Sequence, residues 1–255
     1  VDGGWYRDYE INPNTAYPTG EHYFYVVITL SPSDKNSTVE PVSTKSDILK
    51  IDFTERETTM DGAGTEQNPY IIKTTEHLSE IQKMVADGDS FAGAYFQIAN
   101  DVSLPTSWTP IGTRDTAFSG NIDGNHKKLT VPAGEKPLLG CINGASVKDL
   151  DIYGEQIEGA GLVNDFTGVG LSGSAIVLDN VTLKSGSKTL KSGLVAAGAG
   201  NGYASASAGF VMTIRNCTIE SNVVVGYTGT ERQIGSFAGR FQGTIENCTS
   251  SATVK

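Results

Sequence analysis

Four stretches decide the fold: Val147-Lys148-Asp149-Leu150-Asp151-Ile152, Val177-Leu178-Asp179-Asn180-Val181-Thr182-Leu183, Ile214-Arg215-Asn216-Cys217-Thr218-Ile219 and Ile245-Glu246-Asn247-Cys248-Thr249. Matched on Asp149, Asn180, Asn216 and Asn247, the copies stand 31, 36 and 31 residues apart. A second piece precedes each copy or follows the one before: Leu138-Leu139-Gly140, Gly161-Leu162-Val163, Gly193-Leu194-Val195 and Gly235-Ser236-Phe237-Ala238-Gly239. A unit of about 30 residues cannot bury its own apolar face, so such units stack on one another. Two or three short strands per unit, joined by Asx or Gly bends, predict one turn of a coiled sheet, with turns spaced about 4.8 Å apart like paired strands. Equivalent residues then form columns. Asn180, Asn216 and Asn247 are expected to stack as a buried amide ladder at a bend, with Cys217 and Cys248 beside them facing inward.

Outward from the repeat, Asn164–Ala175 and Ala196–Gly209 are rich in small residues and are expected to leave the coil as loops. Upstream, Leu78, Ile81, Met84 and Val85 fall on one face of a helix predicted over Glu76–Ala86. Thr74 or Thr75 is positioned to cap it and Gly88 to stop it. The expected role of this helix, at about 75–87, is to cover the open first turn of the stack, where bare strand edges invite aggregation.

The first 56 residues read differently. His22–Leu30 is a strong β run, and Asp47–Phe53 alternates apolar and polar side chains. Two or three strands cannot close a core alone. Glu55–Asn68 has no periodicity and reads as a linker. The expected organisation is a small antiparallel β region over 1–56, then the stacked domain over 57–255 with its helical cap.

Hydrophobic residues make up 38% of the 255, a globular composition, and the 30 glycines imply many tight turns. The net charge of −10 excludes the basic footprint of a nucleic-acid binder and a basic patch for anionic lipid. No apolar run reaches the ~18 residues of a membrane span. The sequence starts at Val1, and a leader or anchor is expected to lie outside it. It stops inside a repeat, and the polypeptide is expected to continue. Cys141, Cys217 and Cys248 are too few for a disulfide framework and lack a C-x-x-C pair, so they read as buried thiols.

Tests for chemistry are mostly negative. Gly168-Val169-Gly170-Leu171-Ser172-Gly173 matches a dinucleotide fingerprint, but a strand pattern, Ala175-Ile176-Val177-Leu178, follows where a helix is required. Asp149-Leu150-Asp151-Ile152-Tyr153-Gly154 lacks the closing glutamate of a calcium loop. His22, His77 and His126 have no metal-ligand spacing. Asp149, Asp151, Asp179 and Glu246, with Arg215 among them, are the carboxylates a polysaccharide-cleaving site would draw on, but no pattern pairs them. No catalytic residue, metal site or cofactor is expected. The sequons at Asn180, Asn216 and Asn247 are expected to be shielded within the ladder, while a fourth lies at Asn36.

In chain order, Gly64-Thr65-Glu66-Gln67-Asn68-Pro69-Tyr70-Ile71-Ile72, the helix, Asn100-Asp101-Val102, Trp108-Thr109-Pro110-Ile111-Gly112 and Phe118-Ser119-Gly120-Asn121-Ile122-Asp123-Gly124-Asn125 resemble GLUG-motif proteins. These are bacterial surface or secreted proteins, including adhesin-like proteins and an accessory region of immunoglobulin A proteases. The resemblance covers roughly residues 62–255. Asn164 and Ala196 stand where the family's closing glycine would be. Residues 20–56 resemble the last strands of a fimbrillin-like β-sandwich.

The fold class expected is therefore all-β: a right-handed parallel β-helix with an N-terminal capping α-helix, preceded by a small antiparallel region. The expected function is that of a non-enzymatic cell-surface or secreted adhesin-like protein that binds a host or microbial glycan or protein. The alternatives are a carbohydrate-active enzyme on the same fold and the structural stalk of a larger surface protein. Tyr203 and Tyr227, aromatics in or near the loops, are the candidate ligand contacts.

Overall fold

A computed structural model describes residues 20–25, 27–30, 42–53, 56–166, 176–197, 212–229, 233–241 and 243–255. The chain divides into two compact units, the smaller within residues 16–58 and the larger running from Thr59 to Lys255.

In the small unit, Gly20–Phe24 pairs antiparallel with Leu49–Phe53, and Val27–Leu30 pairs antiparallel with Val42–Lys45. The run read as one strand over His22–Leu30 is two strands with different partners, and Val42–Lys45 was not foreseen from the sequence. Tyr23, Tyr25, Val27, Ile48 and Leu49 of this unit are exposed.

The large unit is built from parallel ladders between segments successive in the chain. In the first sheet, Tyr70–Ile72, Tyr95–Ile98, Asn121–Thr130, Ser146–Tyr153, Ile176–Leu183, Met212–Arg215 and Gly243–Glu246 lie side by side in that order. A second sheet pairs Leu139–Ile142, Val163–Phe166, Val195–Ala197 and Ala238–Arg240. A third pairs Lys188–Thr189, Val224–Val225 and Thr253–Val254. From residue 176 the described chain visits the first, third and second sheets in turn and then returns to the first. Among the described residues the all-β class holds, with parallel sheets and one helix.

The repeated Asx residue explains how each long strand turns its corner. Val147, Leu150 and Ile152 are all buried although a regular strand alternates faces every residue. Asp149, Asn180, Asn216 and Asn247 have φ of 52°, 53°, 54° and 52°, the left-handed region that Asn and Asp tolerate best. One left-handed residue adds a step, so the apolar residues three apart both point inward. The sequence alignment of these four positions is also the pairing register, since Lys148 faces Asp179, Asp179 faces Arg215 and Arg215 faces Glu246.

The side chains of Asn180, Asn216 and Asn247 are exposed, which corrects the expectation of a buried ladder. They stand at the outward corner; Asn180 and Asn216 each lie between apolar residues buried in the core, Leu178 and Val181 for the one, Ile214 and Cys217 for the other. Asn180 Nδ2 donates to Asp149 Oδ1 at 2.6 Å, but Asn216 Nδ2 donates to Asp179 Oδ1 at 2.8 Å rather than to Asn180. The three sequon asparagines are thus not shielded by burial. Cys217 is buried and Cys248 partly buried against the core, and the Cys217 amide donates to Cys248 Sγ at 3.3 Å.

Inward residues form aliphatic columns, such as Ile122, Val147, Leu178 and Ile214 in register. The glycines of the second repeated piece allow neighbouring turns to touch. A Cβ on Gly161 would lie 2.3 Å from the Gly193 carbonyl oxygen, and one on Gly193 1.8 Å from that of Ser236.

At the start of the stack the core is aromatic. Phe96 packs on Tyr70, Phe91 and Phe118 with ring centroids 5.6, 5.1 and 5.9 Å away. The helix Thr75–Ala86 buries Leu78, Ile81 and Val85 in the same apolar cluster. Thr74 is its extended N-cap but makes no side-chain cap bond, while Thr75 Oγ1 donates to the Ser103 carbonyl at 2.7 Å. Asp87 ends the helix, and Gly88, with φ of 113°, leaves it.

Two further expectations are corrected. Residues 59–68 are not a linker: Met60 is buried, Asp61 bridges Ile71 antiparallel, and the Ala63 and Thr65 amides both bond the Asn68 carbonyl. Closure on the edge strand Tyr70–Ile72 recruits this polar stretch despite its lack of periodicity. The loops begin later than expected, because Asn164–Phe166 and Ala196–Ala197 continue strands of the second sheet. The remainder of both loops, the glycine fingerprint included, lies outside the described residues.

Candidate ligand-recognition surface

Tyr227 sits in the turn that follows Val224–Val225. Gly226, with φ of 72°, reverses the chain there, and the amides of Gly226 and Tyr227 both bond the Thr189 carbonyl, at 2.8 and 3.2 Å. The turn is thereby fixed to the preceding coil. The half-buried Tyr227 hydroxyl donates to Glu158 Oε1 at 2.6 Å and lies 3.1 Å from Gln156 Nε2, which donates to it. Burial and the Glu158 carboxylate push the Tyr227 phenol above its ordinary pKa, with Gln156 opposing. It therefore stays protonated and acts as a hydrogen-bond donor.

Gln156 and Glu158 follow the strand Ser146–Tyr153, about 70 residues before Tyr227, and only stacking brings the three together. Glu158 is anchored further by its own amide, which bonds the Glu135 carbonyl at 2.8 Å. Sequence reasoning chose Tyr227 as an aromatic near a loop, but it did not find Gln156 or Glu158. Nothing in their local pattern marks them. Tyr203, the other candidate, lies outside the described residues. A phenol, a carboxamide and a carboxylate around one ring can exchange hydrogen bonds with sugar hydroxyls or peptide groups. They supply neither an activated nucleophile nor a metal cage.

Of the carboxylates considered for catalysis, Asp149, Asp151 and Asp179 are paired with cations or amides across the coils. Arg215 donates through Nε and Nη2 to Asp179 Oδ2 at 2.9 and 2.8 Å. Lys184 reaches Asp151 at 3.5 Å and Glu220 at 2.6 Å. Burial raises the Asp179 pKa, but hydrogen bonds from Asn216 and Arg215 and the Arg215 charge outweigh it and hold the group below its ordinary value. Glu220 is held low by Lys184 and by the Ser185 amide. Both shifts run opposite to what a general acid needs. Among the described residues no three His, Cys, Asp or Glu side chains form a metal-binding group.

No family model matches the chain. It is 32% identical over 143 residues to a protein of Evansella cellulosilytica named "Putative Gly-rich membrane protein", covering 49% of this chain and 15% of that one. The chain thus spans under a sixth of that relative's length. A crystal structure described as "a putative immunoglobulin A1 protease from Bacteroides ovatus" aligns with 76% of this chain and 79% of its own, with 17% identity and a TM-score of 0.40. Among the described residues no helix is long and apolar enough to cross a membrane.

Proposed function

We propose that the chain is a non-enzymatic, adhesin-like module of the GLUG-motif type, carried at a bacterial surface or secreted, which recognises a glycan or protein ligand. Its large unit is a right-handed parallel β-helix whose first coil is capped by the helix Thr75–Ala86. Parallel crossovers are right-handed in about 98% of cases, which supports that hand. The relative's name supports a surface location.

The observation that carries the functional reading is the contrast between two kinds of outward side chain. Asp151, Asp179 and Glu220 are engaged in ion pairs between coils, whereas the Tyr227–Gln156–Glu158 group is a preformed cluster of ring, donor and acceptor on a braced turn. Recognition commonly uses such turns on a rigid scaffold. The test is an array of glycans and extracellular-matrix proteins probed with the native chain and with Tyr227→Ala and Tyr203→Ala. Selective binding that Tyr227→Ala loses supports the reading. Binding that survives both substitutions removes the site. New reducing ends or unsaturated products from a polysaccharide panel establish an enzyme instead, and a chain that binds nothing is a stalk.

A further inference from the structure

Two thiols occupy matching positions at the corners of successive coils. Arg215 pairs with Glu246 and Thr218 with Thr249, so Cys217 and Cys248, which lie between, stand opposite each other. The corner residues before them, Asn216 and Asn247, have φ of 54° and 52°, so the two backbones turn alike. In the two coils before, the position after the corner holds Leu150 and Val181, which face each other in register. Packing at that position is met there by hydrocarbon, and the next two coils carry sulfur instead.

Neighbouring strands lie about 4.8 Å apart, inside the roughly 4.4–6.8 Å Cα separation that disulfides span. The two side chains also point the same way. Cys217 Sγ lies 3.2 Å from the Arg215 carbonyl oxygen and 3.7 Å from that of Leu178, one coil earlier. Cys248 Sγ repeats this with Glu246 at 3.2 Å and with Ile214, one coil earlier, at 3.6 Å. The Cys248 sulfur accepts the Cys217 amide at 3.3 Å and so lies against the residue above it in the column. Cys141 belongs to the second sheet, where its register partner is Asp165.

We infer that Cys217 and Cys248 are a modification site, joined as a disulfide between successive coils by exchange with an organic disulfide. One thiol loses its proton, its sulfur attacks a sulfur of the reagent, and a thiolate leaves. The second thiol then loses its proton, attacks the sulfur of the first, and expels the other thiolate. The two S–H bonds become one S–S bond. The two electrons and two protons released reduce the reagent to two thiols. Disulfides of this kind persist in the oxidising surroundings of exported proteins. The bond closes a loop that contains the Tyr227 turn and restricts the unfolded chain. The facing of two coils that pair with each other carries the inference, which is independent of the Tyr227 reading.

The test treats the full chain with oxidised glutathione, both folded and during refolding from urea. The product is unfolded, alkylated, digested with trypsin and read by mass spectrometry without reduction. Tryptic peptides 216–232 and 241–255 should appear as one species, lighter than their sum by two hydrogens, while Cys141 is alkylated. The bond should raise Tm by about 5–10 °C over the reduced chain. Dithiothreitol should remove both the joined species and the shift. Cys141→Ser should keep both, and Cys217→Ser should lose both. Glutathione adducts without the joined peptides, no reaction under either condition, or a bridge through Cys141 overturns the inference. So does a joined species found only between two molecules, or one that lowers Tm, since the pair is then not matched in the folded coil. In each of those cases the sulfurs are packing groups, like the hydrocarbon of Leu150 and Val181.

Discussion

The first and the last described coils of the parallel stack are built from the same kind of strand and differ in how much they bury. At the Tyr70–Ile72 side the edge is bridged by Asp61, the core holds Phe91, Phe96 and Phe118, and the helix Thr75–Ala86 adds Leu78, Ile81 and Val85 to the same apolar cluster. At the Gly243–Val254 end the strand residues are exposed on every strand of the coil. Burial in a stacked fold therefore follows position along the stack as much as residue type. Ile214 and Ile245 occupy the same column, yet one is wholly buried and the other 44% exposed.

The largest expected effect tests that contrast directly. Phe96→Ala, at a fully buried ring with three aromatic neighbours, should cost about 3–5 kcal/mol in urea unfolding, and Ile245→Ala less than about 1 kcal/mol. Equal losses would mean that the two ends are equally packed. Next comes Gly161→Ala, which forces a Cβ against the Gly193 carbonyl and should cost about 1–3 kcal/mol.

The left-handed corners give a smaller and sharper comparison. Asn216→Ala should cost about 1–2 kcal/mol and Asn216→Gly much less, because the penalty is the Cβ at positive φ. Asn247→Ala should cost less than Asn216→Ala, since an exposed terminal coil opens locally before the whole unfolds. An equal cost at the two corners would show that the last coil is as firmly held as the interior.

Cysteine chemistry distinguishes the same two coils without a mutation. Burial pushes the Cys217 thiol up to about 12, with contributions from Cys248 and Asp179 that the Val181 backbone partly opposes. Cys248 is partly exposed. Iodoacetamide mapped by mass spectrometry should label Cys248 first, and prior labelling of Cys217 would contradict the packing described.

The smallest effect is electrostatic. The folded pKa of Glu220 lies below its unfolded value of about 4.3, so its ion pair contributes stability above that value. The contribution is lost as pH falls through the folded pKa. Glu220→Gln should therefore flatten part of the fall in Tm below about pH 4 and leave the remaining acid dependence. An unchanged slope would show that the Lys184 pair contributes nothing measurable, the common result for exposed pairs.

How much was legible varied with the residue. The 31-, 36- and 31-residue spacing of Asp149, Asn180, Asn216 and Asn247 gave the pairing register, because a parallel coil must return equivalent residues to one column. The helix was legible from its apolar face to within a residue or two. The outward direction of the Asx side chains was not, since a repeated polar residue looks the same whether it forms a buried ladder or an exposed corner. Nor was the bridge at Asp61, made by a stretch without periodicity. The Tyr227 group joins residues about 70 apart in the chain, beyond any local pattern.

The sequence by itself determined the all-β class, the length of each coil and which residues share a column. These are properties of period and of local backbone preference, and both are written in residue order. Only the tertiary structure decided which column positions are wet, which carboxylates meet cations, and which polar groups gather around Tyr227. Those depend on what the neighbouring coil presents, and a residue carries no local signal of its neighbour one coil away.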